Sequence, residues 1–155
     1  MMAKITGVIL LFLASVTPAA AQFQSAVGSG VGSLSGLHWS QWLMTDLLIM
    51  GRATLDTQAD EGGNHVGLEI GIEKHLPGFV SIAAGESSAY VAVRQGFQFR
   101  SEGSNHIDLA GLGGVRYLID NTPFEIFMEG GLQLAMAPSV GLRTYSGVGF
   151  RYYIK

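Results

Sequence analysis

Val140-Gly141-Leu142-Arg143-Thr144-Tyr145-Ser146-Gly147-Val148-Gly149-Phe150-Arg151-Tyr152-Tyr153-Ile154 alternates, residue by residue, between two chemistries. Val140, Leu142, Thr144, Ser146, Val148, Phe150, Tyr152 and Ile154 fall on one face of an extended chain. Gly141, Arg143, Tyr145, Gly147, Gly149, Arg151 and Tyr153 fall on the other. A period of two sustained this long specifies a β-strand, because successive side chains leave opposite faces of the pleat.

The same dyad recurs upstream. In 65–76, Val66, Leu68, Ile70 and Ile72 oppose Gly67, Glu69, Gly71 and Glu73; in 90–100, Val91, Val93, Phe97 and Phe99 oppose Ala92, Arg94, Gly96 and Gln98. Segments 106–119, 124–136 and 45–56 follow the rule too. Gln95 and Lys74 fall on apolar faces, and Leu112 and Phe127 on polar ones. Residues 24–39 read as one bent strand or two short ones, and 79–84 as a short strand of its own. Turn signals stand at 57–64, Pro77-Gly78, 85–88, 102–105, 120–123 and Ala137-Pro138. The count is eight strands, the smallest common size of a bacterial outer-membrane barrel. A second partition splits the first segment and fuses 79–100; it also totals eight, and it moves the Trp39/Trp42 turn to the other end.

The N-terminus reads as an export signal over residues 1–21: Lys4, then an apolar stretch, then Ala19-Ala20-Ala21. The apolar stretch is too short to span a bilayer as a helix, so a mature chain from near Gln22 and a single domain over 22–155 are expected. There is no cysteine, which excludes disulfides and thiolate metal sites. Charged residues make up only 14% of the chain against about 25% in ordinary soluble domains. No basic run or patch favours nucleic acid. Past the leader no apolar run reaches membrane-helix length, so a membrane location requires a closed barrel, which satisfies every backbone polar group.

Alternation does not by itself say which face is outside. Three features point to an inverted barrel, apolar outward and polar inward. The polar face carries many glycines, which a narrow lumen needs and a solvated sheet does not. Its cations are arginines, whose planar forks suit desolvated pairing with carboxylates. Aromatics collect near strand ends, where Trp39, Trp42, Tyr117, Phe124, Phe150 and Tyr152 would form membrane-interface girdles. The expected fold is therefore an all-β, up-and-down antiparallel transmembrane barrel.

The segments Pro123-Phe124-Glu125-Ile126-Phe127-Met128-Glu129, Ala137-Pro138-Ser139 and Gly147-Val148-Gly149-Phe150-Arg151-Tyr152-Tyr153-Ile154 resemble the last two strands of small bacterial outer-membrane β-barrel proteins. The chain is similar, more distantly, to the OmpA transmembrane domain, OmpX and OmpW groups. The resemblance implies outer-membrane lipid and the barrel-insertion machinery as partners, and no catalytic residues. Such barrels usually end in an aromatic; here Tyr153-Ile154-Lys155 displaces it.

The candidate site is the inward charge set Glu69, Glu73, Arg94, Asp108, Arg116, Glu125, Glu129, Arg143 and Arg151. It reads either as a salt-bridged plug, since eight strands leave room for side chains and little water, or as a narrow porin-like channel. Arg143 and Arg151 are expected to pair with Glu125 and Glu129. The histidines His38, His65, His75 and His106 lack metal-ligand spacing: His65, Glu69 and Glu73 share a face, but four strand residues span roughly 13 Å. No metal or cofactor is expected. His106, Asp108 and Ser104 form the sole cluster with catalytic residue types, and they read as a polar turn entering a strand, so no enzyme is expected. The remaining reading is a secreted soluble β-barrel holding an apolar ligand. A monomeric protein with a structural role in the cell envelope is the reading that best joins these features.

Overall fold

The computed structural model describes residues 25–32, 36–56, 65–82, 85–101 and 103–154. They form eight strands: β1 (Ser25–Gly32), β2 (Gly36–Trp42), β3 (Leu47–Asp56), β4 (His65–Ile82), β5 (Gly85–Arg100), β6 (His106–Ile119), β7 (Phe124–Ala137) and β8 (Gly141–Ile154). Each pairs antiparallel with its sequence neighbour, and β1 pairs with β8 to close the barrel. Closure removes the open edges that a sheet would otherwise present. The leader expected at 1–21 and the turn expected at 57–64 lie outside the described residues.

The total of eight strands stands, but the partition is neither of the two expected. The first segment does split, into β1 and β2. Residues 79–82 belong to the preceding strand: the β4–β5 ladder breaks after Leu76 and resumes at Val80 opposite Ser87. Pro77 has no amide hydrogen to donate, so it is tolerated at such a register break and does not end the strand. Residues 85–88, expected as a turn, open β5: all four pair with β6, and 85–87 pair with β4 as well. The turn at 43–46 therefore lies at the same end of the barrel as Ser25, Ile154 and the 120–123 turn. This is the terminal end. The turns at 103–105 and 138–140 mark the far end.

Burial alternates along the strands with the expected sense. Inside lie Glu73, Arg94, Glu125 and Arg151, all essentially inaccessible; outside lie Ile70, Ile72, Val91, Val93, Ile126 and Val148. Leu112 and Phe127 obey the geometric rule and face inward despite their chemistry. The glycines of the polar face answer to crowding. A Cβ on Gly149 would stand 2.5 Å from the Phe127 ring, and one on Gly114 would overlap the Tyr90 ring. A soluble barrel around an apolar ligand would have the opposite polarity.

Outside, Phe124 and Tyr152 meet edge to face, with ring centroids 5.1 Å apart. They share a ladder row with Val27 and Trp39, and Trp39 covers Gly51 on the outer surface. Tyr117 covers Gly85 in the same way, and Phe150 is exposed opposite Ile126. Aromatic cover of a bare glycine restores the packing that the missing side chain forfeits. Trp42 departs from this outward set. It points inward, its ring 4.6 Å from that of His75 and beneath the Arg116 guanidinium at 5.0 Å. Its position two residues from the buried Ser40 gives it the inner parity, so strand alternation overrides the aromatic's preference for the interface. Beside it, Lys74 on the outer face is paired with Asp46, and the ammonium holds that carboxyl below the usual carboxylate range.

Candidate functional site in the lumen

The interior is crossed by one connected set of charges drawn from six strands. Arg94 on β5 hydrogen-bonds Glu73 on β4 at 2.8 Å and Glu129 on β7 at 2.5 Å. Arg151 on β8 donates to both oxygens of Glu73, at 2.7 and 2.9 Å, and to Glu125 at 2.8 Å. Arg116 on β6 closes the terminal end of the chain of contacts, reaching Glu125 at 2.8 Å and the Ser88 hydroxyl at 2.6 Å. Toward the far end, Arg52 on β3 and Arg94 flank Glu69 at 4.0 and 3.6 Å. Four guanidinium groups thus alternate with four carboxylates, and their formal charges cancel.

Three tyrosines serve this set. Tyr90 donates to Glu129 at 2.8 Å and Tyr153 to Glu125 at 2.7 Å. The Tyr145 hydroxyl accepts from Arg52 at 2.8 Å and from Arg94 at 3.2 Å. Rings fill the remaining space: Arg151 lies over Phe127 at 4.5 Å, and His75 packs between Trp42 and Tyr90. A charge removed from water costs several kcal/mol unless it is paired and hydrogen-bonded. Glu73, Glu125 and Glu129 each have more than one hydrogen-bonding partner. Glu69 meets two guanidinium groups at ion-pair distance only, its buried Oε1 without a hydrogen bond among the described residues.

Seven of the nine expected residues enter this network: Glu69, Glu73, Arg94, Arg116, Glu125, Glu129 and Arg151. The expected Arg151–Glu125 pair forms, whereas Glu129 pairs with Arg94 and Arg52. Arg143 is exposed at the far end and forms no ion pair with any described residue, a correction to its expected pairing with Glu125 and Glu129. It stands eight residues before Arg151 on the same strand, beyond the depth at which those glutamates sit. Asp108 is buried and lies across Gly96. Arg52, Tyr90, Tyr145 and Tyr153 are the members that sequence reasoning left out. Inner parity placed all four. Tyr153–Glu125 and Arg52–Glu69 join neighbouring strands, whereas Tyr90–Glu129, Tyr145–Arg52 and Arg52–Glu129 cross between strands that are not neighbours, which parity alone does not pair.

His38 and His75 are buried with both ring nitrogens lacking a hydrogen-bond partner among the described residues. His75 Nε2 lies 3.5 Å from Glu73. Ser104 is exposed while Asp108 is buried. Among the described residues no group of three or more His, Cys, Asp or Glu could hold a metal ion.

No family model matches the chain, and no curated protein matches it. Two solved structures are similar. The N-terminal β-barrel domain of Pseudomonas aeruginosa OprF aligns with a TM-score of 0.56 at 10% identity, covering 85% of this chain and 96% of that one. Neisserial surface protein A aligns with a TM-score of 0.40 at 13% identity, covering 84% and 93%. The first likeness identifies the fold as that of a small outer-membrane β-barrel.

Proposed function

We propose that this chain is a small integral outer-membrane protein with a structural role in the cell envelope, its lumen plugged by paired side chains and closed to ions. The carrying observation is the span of charge from the half-buried Arg116 through the buried Glu125, Arg151, Glu73 and Arg94 to Glu129, which crosses the barrel at hydrogen-bond spacing. A conducting pore would need solvated charges along its axis, but these are packed against Phe127, Tyr90 and Tyr145. Delivery would follow removal of the leader at 1–21. The partners would then be the surrounding lipid and the machinery that inserts barrels, and the protein would work as a monomer.

The purified protein in planar bilayers should give no conductance steps; regular steps would replace the plug with a channel. Integral placement is tested separately. The folded band should migrate faster in unheated detergent gels than the boiled one, and carbonate should leave the protein in the membrane pellet. Release by carbonate would end the membrane reading.

A further inference from the structure

The barrel wall is uneven in height. β1 and β2 have eight and seven residues, whereas β6, β7 and β8 have fourteen each. The β1–β8 ladder stops at Gly32 opposite Gly147, and the β2–β3 ladder at Leu37 opposite Ala53. Residues 141–145 of β8 and 54–56 of β3 thus rise past the β1–β2 hairpin with a ladder partner on one side only, among the described residues. The result is a notch in the wall at the far end.

Both sides of this notch have a marked chemistry. Outside, Val31, Leu37, Leu55, Val140 and Leu142 border it. They are 67–79% exposed, more than any other large apolar side chain described. Inside, Arg143 is exposed on β8 with no ion-pair partner among the described residues, and Thr54 is buried with its hydroxyl unpartnered. Arg100, on the mouth's opposite wall, has a buried Nε that also lacks an acceptor. Backbone amides without a ladder partner among the described residues and a guanidinium without an ion pair there are costly beside hydrocarbon, and an anionic oxygen satisfies both.

We propose that the notch is a lateral binding site for an anionic phospholipid of the surrounding membrane. Its phosphate is held by Arg143, and its acyl chains lie over the low β1–β2 wall against Leu37, Val31 and Leu142. Asp108 does not oppose the head directly: it is buried across Gly96, whereas Arg143 stands at the opening. The site rests on the membrane placement proposed above, since its occupant arrives sideways from the bilayer.

The test uses the protein reconstituted in phosphatidylcholine vesicles doped with phosphatidylglycerol, then extracted in mild detergent and weighed by native mass spectrometry. Heat-modifiable migration of each variant comes first; its loss in the parent protein would defeat the membrane reading itself. The expected result is one phosphatidylglycerol per barrel. Retention should fall about tenfold in Arg143→Gln, the size of one lost charge-assisted hydrogen bond. It should also fall in Leu142→Asn, with Arg143 intact, and hold in Lys74→Gln at the other end. Equal retention in Arg143→Gln, or equal retention of phosphatidylcholine, would overturn the site. Displacement of the lipid by matched concentrations of glycerol phosphate would overturn the role of the acyl chains.

Discussion

The terminal and far halves of the lumen are built from the same alternating strands, yet they are filled differently. Toward the termini, Leu48, Met50, Phe127, Tyr90 and Tyr153 pack around Arg151 and its two glutamates, and glycines there have no room for a Cβ. Toward the far end, Arg143 and Arg100 have no carboxylate partner among the described residues. Gly67 and Gly96 are still crowded by Thr54 and Asp108, but at the rim a Cβ on Gly141 would meet nothing within 4 Å. One half serves as a core and the other as a mouth. The pattern of inward and outward residues is identical in both; what differs is the height of the wall and the number of strands that can reach across.

If that contrast is real, substitutions should separate by half. The largest effect is expected for Glu73→Ala, which leaves Arg94 and Arg151 without a shared carboxylate. Stability should drop by about 3–5 kcal/mol, read as a shift in the urea midpoint of vesicle-reconstituted protein. A drop no larger than that of a surface residue would dissolve the distinction. Tyr145→Phe comes next, where the two halves meet. It removes the hydroxyl between Arg52 and Arg94 and should cost roughly 1.5–3 kcal/mol in the same assay.

Matched glycines sharpen the comparison further. Gly149→Ala, facing Phe127 and the Ser29 carbonyl, should cost about 1–3 kcal/mol, while Gly141→Ala should stay within about 0.5 kcal/mol. Equal costs would mean the mouth is as tightly filled as the core. The smallest effect belongs to the exposed Lys74–Asp46 pair. Because the folded-state value of Asp46 is depressed, its contribution is fully present above the ordinary carboxylate range. It is lost as pH falls through the lower folded value, and it is screened by salt. An NMR titration of Asp46 with and without Lys74→Gln reads this directly.

Much of this was legible from the chain because a dyad leaves little freedom. Once 140–154 is a strand with one apolar face, the depth of each residue's side follows by counting, even for Leu112 and Phe127, whose chemistry argues otherwise. Glycine on the polar face signalled a narrow interior, and the rings of Phe127 and Tyr90 are the reason. What did not follow was anything set by register. Pro77-Gly78 looks like a turn, and only the resumed pairing of Val80 with Ser87 shows the strand continuing through it. Arg143 and Arg151 are indistinguishable by parity, and only their height along β8 separates the mouth residue from the core residue. Trp42 was misplaced because residue type was allowed to outweigh parity.

The seam between β1 and β8 has a consequence for biogenesis. Ser25 stands opposite Ile154, so this ladder joins the first described strand to the last. Loop-closure entropy makes such distant pairings late events in folding. Until that ladder forms, the sheet is a curved ribbon with two open borders, and the ion pairs that cross the lumen, such as Arg151 with Glu73, are not yet made. A chain cut short before Arg151 would keep only Gly147–Phe150 to pair with β1, so half of the seam that closes the cylinder would be gone.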